Sequence, residues 1–188
     1  MRIIGGLYKN RNFFMPAKIK PTQGLTRKAV FDLIGQDLSG LTLLDLFAGS
    51  GSVGLEALSR GASQVVFVEN DEKCLEVLSE NLRILGAADG QLGSAMYEIM
   101  RIDTFAAIKL LSRMKRTFDI IFFDPPYDLE LSKKVLKTLI AYDIMSPVCF
   151  IIAEHGKRET LPAELDAKFT LSTNRKYGIS YLTVYRRK

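Results

Sequence analysis

The chain has only two cysteines and one histidine in 188 residues. Cys74 and Cys149 make no disulfide framework, and the lone His155 leaves no Cys/His cluster for a transition metal. Both thiols read as buried in a reducing cytosol, Cys74 on the apolar face of a helix and Cys149 within a strand. No apolar run approaches the roughly 18 residues of a membrane span. The opening Met1-Arg2-Ile3-Ile4-Gly5-Gly6 lacks the apolar stretch of a signal peptide. Internal repeats and low-complexity segments are missing too. These absences predict a cytoplasmic protein with no metal and no membrane attachment.

Acid is missing from the first 28 residues, which carry Arg2, Lys9, Arg11, Lys18, Lys20, Arg27 and Lys28. The rest of the chain holds 19 basic and 21 acidic side chains, so the whole excess behind the net charge of +5 lies in that segment. Such a segment suits a polyanion. Phe13, Phe14, Met15 and Pro16 interrupt the charges. They point to an arm anchored on the domain while its basic side chains face a phosphate backbone. The length fits one domain. We divide it into a basic N-terminal extension with the first helix, 1–36, and a main domain, 37–188.

What is present is an alternation of strands and helices. Leu25, Ala29, Val30, Leu33 and Ile34 follow helical spacing. A strand is predicted over Leu41–Phe47, a helix over Val53–Arg60 stopped by Gly61, and a strand over Val65–Glu69. A helix over Asp71–Leu85 has Cys74, Leu75, Leu78, Leu82 and Leu85 on one face and ends at Gly86. Residues 87–95 read as a loop. Then come a short strand over Tyr97–Ile102, a helix over Thr104–Lys115, a buried strand over Phe118–Phe123, a helix over Leu129–Ala141 and a strand over Val148–Ala153. Phe169–Thr173 and Tyr181–Tyr185 read as a strand pair joined by a turn-rich Asn174–Ser180. The pattern is α/β: a doubly wound, Rossmann-like parallel sheet with an antiparallel edge.

Gly49-Ser50-Gly51-Ser52-Val53-Gly54 fits G-x-G-x-x-G between a strand and a helix. Its glycines let the backbone turn and approach a nucleotide-like ligand. Alone, the pattern equally suits a nicotinamide oxidoreductase. Glu69, ending the next strand, is placed to accept hydrogen bonds from both ribose hydroxyls in either case. Asp45 discriminates. A carboxylate just before the glycines suits a cofactor with an ammonium group, as in S-adenosyl-L-methionine, and faces a pyrophosphate poorly. The alternative for Asp45 is a structural acid that hydrogen-bonds the glycine loop. Asp103 is a candidate for the adenine amino group, or else the N-cap of the following helix. Phe47, Ala48, Gly49, Gly51 and Asn70 complete the candidate cofactor set.

Asp124-Pro125-Pro126-Tyr127 closes the fourth strand. Two prolines fix φ and remove amide donors, so the Pro125 carbonyl stands as a pure acceptor beside the Asp124 carboxylate. An aromatic amine has two hydrogens to donate and a lone pair delocalised into its ring. Two acceptors pull the nitrogen toward tetrahedral geometry and aim that lone pair, while Tyr127 offers a face for stacking. His155 reads as a loop histidine. Tyr177, Arg175 and Lys176 read equally as substrate contacts or as a solvated turn.

Leu43–Gly51, Gly54-Leu55-Glu56-Ala57-Leu58-Ser59-Arg60-Gly61-Ala62, Phe67-Val68-Glu69 and Asp124–Tyr127 together resemble the bacterial RsmD family of 16S ribosomal RNA guanine-N2 methyltransferases. The opening Met1–Gly6, Lys9–Arg11, Lys20-Pro21-Thr22 and Tyr177-Gly178 are similar too. The resemblance implies a seven-stranded methyltransferase fold, S-adenosyl-L-methionine as donor and guanine N2 in ribosomal RNA as acceptor. It implies that Asp45–Gly51 and Glu69 hold the cofactor and that Asp124, Pro125, Pro126 and Tyr127 hold the guanine. The basic segment supplies Lys9, Arg11, Lys18, Lys20, Thr22 and Arg27 as candidate RNA contacts. The expected partner is the small ribosomal subunit or an assembly intermediate, met by a monomer. The chain departs from the family at Gln23-Gly24-Leu25, where the family carries an acid and further arginine. The rivals are a DNA adenine-N6 or cytosine-N4 methyltransferase and a catalytically idle RNA-binding module.

Overall fold

The structure, a computed structural model, describes residues 1–15, 24–87, 90–126 and 130–188. In chain order its elements are α1 (Gly24–Ile34), β1 (Thr42–Leu46), α2 (Ser52–Ser59), β2 (Gln64–Val68), α3 (Glu72–Leu85), β3 (Gln91–Leu92), β4 (Ala95–Met100), α4 (Thr104–Arg113), β5 (Phe118–Phe123), α5 (Leu131–Tyr142), β6 (Met145–Gly156), β7 (Glu164–Leu165), β8 (Phe169–Tyr177) and β9 (Ser180–Arg187). They form one sheet in the order β3-β4-β2-β1-β5-β6-β9-β8-β7. β4, β2, β1, β5 and β6 are parallel, and β9 enters antiparallel between β6 and β8.

The central strands are continuous apolar runs because both faces of the sheet are covered. Side chains alternate between the faces. Leu43, Val65, Phe67, Ile120, Phe122 and Ile152 join one core with α1, α2 and α3. Leu44, Leu46, Val66, Val68, Ile121, Phe123 and Ile151 join the other with α4 and α5. A sheet wound on both faces reverses its order where one crossover goes left and the next goes right. Here that point lies between β1 and β5, and the carboxyl ends of the strands at such a point are where doubly wound sheets receive their ligands.

Several boundaries differ from the sequence expectation. β3 lies inside the expected loop 87–95, as a two-residue antiparallel partner of β4. The two short edge strands β3 and β7 raise seven strands to nine. β8 and β9 are longer than expected, because pairing continues to Tyr177↔Ser180 and leaves only Gly178-Ile179 as the turn. Arg175 and Lys176 therefore stand on a strand and not in a turn. His155 is likewise in β6. It is 4% exposed, with Nε2 2.8 Å from Thr183 Oγ1, and burial lowers its pKa. Cys74 and Cys149 are buried, and burial pushes both thiols up to about 12.

Residues 1–15 pack on α2 and α3. The segment doubles back, with Arg2 bridged to Asn12 and the Ile3 and Asn10 amides donating to Arg11 and Ile3 carbonyls at 3.0 Å. Ile3 and Phe13 are buried, each stabilising by roughly 1.5–3 kcal/mol. The Glu56 carboxylate accepts from the Ile4 amide (2.9 Å) and the Gly5 amide (2.7 Å). Ser59 Oγ accepts from the Tyr8 amide and donates to the Gly5 carbonyl. A side chain on Gly6, at φ +74, would run into the Ser59 carbonyl.

Arg27 corrects an expectation. It was a candidate RNA contact, but it is 1% exposed, with Nε 3.5 Å from Glu56 and its guanidinium 5.2 Å from the Phe13 ring centroid. Val30 and Phe31, three and four residues on, are buried with it. Arg27 thus lies on the inward stripe of α1, and it ties α1 to α2 and to the N-terminal segment. Lys9 and Arg11 are exposed. They flank Asn10 in the turn near Tyr8, whose amide bonds to Ser59 at the C-terminal end of α2. That end is about 10 Å along the helix from the glycine loop.

Candidate active site

The ends of four parallel strands are level. Leu46 pairs with Val68 and with Phe123, and Val68 pairs with Met100. The residues that follow, Phe47, Glu69, Arg101 and Asp124, therefore leave the sheet at one height beside the switch point. Asp103 lies two residues beyond Arg101. The register thus brings the glycine motif, the strand-end acids and the proline tip to one edge.

After β1 the chain turns sharply, with positive φ at Phe47 (59°), Gly49 (56°) and Gly51 (80°). A Cβ on Gly51 would lie 2.4 Å from Leu78. One on Gly54 would lie 2.2 Å from the Phe67 ring, so that glycine lets α2 sit close on the sheet. Nothing lies within 4 Å of the Cβ position on Gly49. The first glycine thus faces open space, as a backbone approached by a ligand should.

Glu69 holds this turn. Its Oε2 accepts from the Gly49 amide at 2.8 Å, and its Oε1 from the Asn70 and Asp71 amides at 2.8 and 2.9 Å. A carboxylate has about four acceptor positions. Three are engaged, and the group is half-buried. Asn70 is exposed beside it. Asp103 is exposed and caps α4, with Oδ1 accepting from the Phe105 and Ala106 amides. The capping alternative is therefore realised. It occupies one oxygen, and the group stays at the carboxyl edge.

Asp45 is placed differently from the expectation of an ammonium-facing acid. It pairs in register with Phe67 and Phe122, is 1% exposed, and its Oδ2 accepts from the Gly54 amide at 2.9 Å. It braces the glycine loop from below. Burial pushes its carboxyl up to about 8, with the nearby Glu69 charge adding and the Gly54 hydrogen bond opposing. A free aspartate titrates near 3.9. The folded state therefore keeps a proton that the unfolded chain has released. The resulting stabilisation is complete below about pH 4 and is lost as the pH rises through about 8. Asp45→Asn keeps an acceptor for Gly54 and does not titrate. Urea unfolding should show the wild type losing stability between about pH 5 and pH 8 and the variant losing less; parallel curves would contradict this assignment.

Asp124 is half-buried, Pro125 buried and Pro126 exposed. Phe123 pairs with Ala153 of β6 as well as with Leu46, so Asp124 is level with Phe47 on one side and Glu154 on the other. Tyr127, Lys18, Lys20 and Thr22 lie outside the described residues.

Sequence reasoning missed four residues that support the site. Asn81, fully buried in α3, accepts from the Phe14 amide (2.6 Å) and donates to the Phe14 and Ser50 carbonyls (3.0 Å each). It ties the N-terminal segment to the glycine loop, where Met15 also meets Ser50. Glu56, Ser59 and Arg60 hold the same segment further down α2, and Arg60 Nη2 is 2.8 Å from Glu56. A signal existed. Asn81 lies three residues after Leu78 and four before Leu85, on the apolar stripe. Arg60 lies one helical turn after Glu56.

Among the described residues, no helix is long and apolar enough to cross a membrane, and no group of His, Cys, Asp and Glu stands ready to hold a metal.

The family model for conserved hypothetical protein 95 matches residues 1–186. The chain is 31% identical over 190 residues to the putative rRNA methyltransferase YlbH of Bacillus subtilis, with 100% of both chains covered. It is 28% identical over 188 residues to ribosomal RNA small subunit methyltransferase D of Haemophilus influenzae, covering 99% of this chain and 93% of that one. The solved structure of the putative methyltransferase yhhF from Escherichia coli superposes with a TM-score of 0.84 at 26% identity, over 100% of this chain and 98% of that one. The sheet is accordingly a Rossmann-like methyltransferase fold, and the chain belongs to the conserved hypothetical protein 95 family, the RsmD family.

Proposed function

We propose that this protein methylates the exocyclic N2 amine of a guanine in 16S ribosomal RNA, with S-adenosyl-L-methionine as the donor. The observation that carries the reading is the shared level of the glycine loop after β1 and the Asp124-Pro125-Pro126 tip after β5. A donor resting on the first can reach an amine held by the second. The relatives named as ribosomal RNA methyltransferases support RNA as the acceptor. The N-terminal excess of positive charge agrees with it. We place the reaction in the cytoplasm and assign it to a monomer acting on the small subunit or an assembly intermediate.

When bound, S-adenosyl-L-methionine supplies an electrophilic methyl on a sulfonium. Gly49 and Gly51 would admit its amino-acid part, Glu69 would accept from its ribose hydroxyls, and Asp103 would accept from its adenine amine. Asp124 and the Pro125 carbonyl accept the two hydrogens of the target amine and aim its lone pair. No strong general base is needed, because the methylated amine is cationic and gives up its proton readily. The protein contributes chiefly positioning and fixed electrostatics.

Glu69→Ala should weaken S-adenosylhomocysteine binding by roughly 1.5–3 kcal/mol, since it removes charge-assisted hydrogen bonds to the ligand and the strut under Gly49. Titration calorimetry checks this; unchanged affinity would leave Glu69 as a loop brace alone. The acceptor class is tested by tritiated methyl transfer to protein-free 16S RNA, 30S particles and duplex DNA. Label in RNA or in 30S particles supports the proposal. Label in DNA alone would transfer the reading to an amino-methyltransferase of DNA.

A further inference from the structure

A second basic surface lies at the carboxyl edge, away from the turn that carries Lys9 and Arg11. β8 and β9 form a hairpin closed by Gly178 (φ +60) and Ile179, the two-residue loop with glycine first that suits a twisted hairpin. Three strands are in register there. Lys176 pairs with Tyr181, which pairs with His155; Arg175 pairs with Leu182, which pairs with Glu154. Glu154 follows Ala153, the partner of Phe123. The end of the hairpin thus stands on the same edge as Asp124. Three strand spacings of about 4.8 Å separate β5 from β8, roughly 14 Å in all.

Lys157 and Arg158 follow β6 at this edge. They are exposed, as are Arg175 and Lys176. None of the four makes an ion pair among the described residues. The acids nearest in chain and register do not reach the surface. Glu154 is 2% exposed, and Glu159 is 9% exposed and accepts from the Ser132 amide, the Ser132 hydroxyl and the Lys133 amide. Arg175 and Lys176, consecutive in β8, leave opposite faces of the hairpin, so the four exposed cations surround this end of the sheet. Tyr177 is half-buried, and Ile179 is 60% exposed at the tip. Lys9 and Arg11, by contrast, sit by the far end of α2.

We infer that the β8–β9 hairpin, with Lys157 and Arg158, forms the surface that holds the phosphates of the RNA flanking the target nucleotide. The inference rests on RNA being the substrate. Arg175 and Lys176, about 14 Å from the strand that carries Asp124, meet the backbone a few nucleotides from the reacting base, and Lys157 and Arg158, which follow the neighbouring strand β6, meet it closer in. They register the strand without reading its sequence. The N-terminal turn then adds attraction at longer range.

The test compares three double variants of the full chain: Arg175→Gln with Lys176→Gln, Lys157→Gln with Arg158→Gln, and Lys9→Gln with Arg11→Gln. Filter binding to protein-free 16S RNA is measured across a salt series, with S-adenosylhomocysteine affinity and thermal unfolding alongside. Both edge pairs should bind RNA at least tenfold more weakly. Their slope of log K against log salt should be shallower by about 0.7–0.9 for each phosphate that is no longer neutralised, with cofactor affinity and unfolding unchanged. The Lys9/Arg11 pair should weaken binding less. Edge variants that keep wild-type affinity and slope, or a larger loss of affinity at Lys9/Arg11, would overturn the inference and leave RNA methylation standing. A wild type that transfers methyl groups only to DNA would instead remove the reading beneath it.

Discussion

Asp124→Ala is expected to lose about 10²–10³ in turnover while its affinity for S-adenosylhomocysteine stays within several-fold of wild type. The loss corresponds to about 3–4 kcal/mol of transition-state stabilisation, the usual worth of one positioned electrostatic partner. The separation of the two effects follows from the register. Asp124 leaves β5 on the side of β1 opposite β2, whereas the strand-end acids assigned to the cofactor leave β2 and β4. A carboxylate that orients the amine is needed when the methyl moves and contributes little to holding the donor. Single-turnover transfer at saturating donor measures it directly. A near-normal rate would remove Asp124 from the reaction, and a parallel collapse of cofactor affinity would make it a structural residue.

Glu56→Ala is expected to destabilise the fold by about 3–5 kcal/mol, the cost of breaking a buried ion pair from one side. Glu56 is 1% exposed and serves two guanidiniums and two amides: Arg60 at 2.8 Å, Arg27 at 3.5 Å, and the Ile4 and Gly5 N–H groups. Without it, two cations stay buried with no opposite charge among the described residues, and two donors lose their acceptor. Burial already lowers the Arg27 pKa, opposed by Glu56. In a chain of this size the midpoint of thermal unfolding should fall by on the order of 10 °C. A change within about 2 °C would show that the network is neutral to stability.

Parts of this architecture are legible in the sequence because each signal is local. β1, β2 and β5 are apolar runs since both faces are covered, and the glycine motif announces its turn through residues that are neighbours. α3 carries its own start and stop, with Asp71 capping the Cys74 amide and Gly86 at φ +92. The residues that escaped work over long separations. Glu56 meets Ile4 across 52 positions, and Asn81 meets Phe14 across 67. Charge misled at Arg27, where a basic side chain reads as surface although its helical stripe is apolar. Turn chemistry misled at Asn174–Ser180. The polar residues there belong to strands whose outer positions face water, and only Gly178-Ile179 turns. Asp45 was ambiguous for a different reason. An acid beneath a glycine loop satisfies the loop or the ligand equally well on paper, and only the fold shows it buried with its Oδ2 on the Gly54 amide.

The proposed reaction stands or falls on the nucleoside that carries the methyl group. RNA labelled by the wild-type protein is digested to nucleosides and separated against standards, with Asp124→Ala run in parallel. The account predicts N2-methylguanosine as the labelled product, at one site per 16S molecule, with the variant's yield lower by about two to three orders of magnitude at equal time. Label in N6-methyladenosine, N4-methylcytidine or a ring-nitrogen product, or an Asp124→Ala variant that labels as fast as wild type, would contradict it.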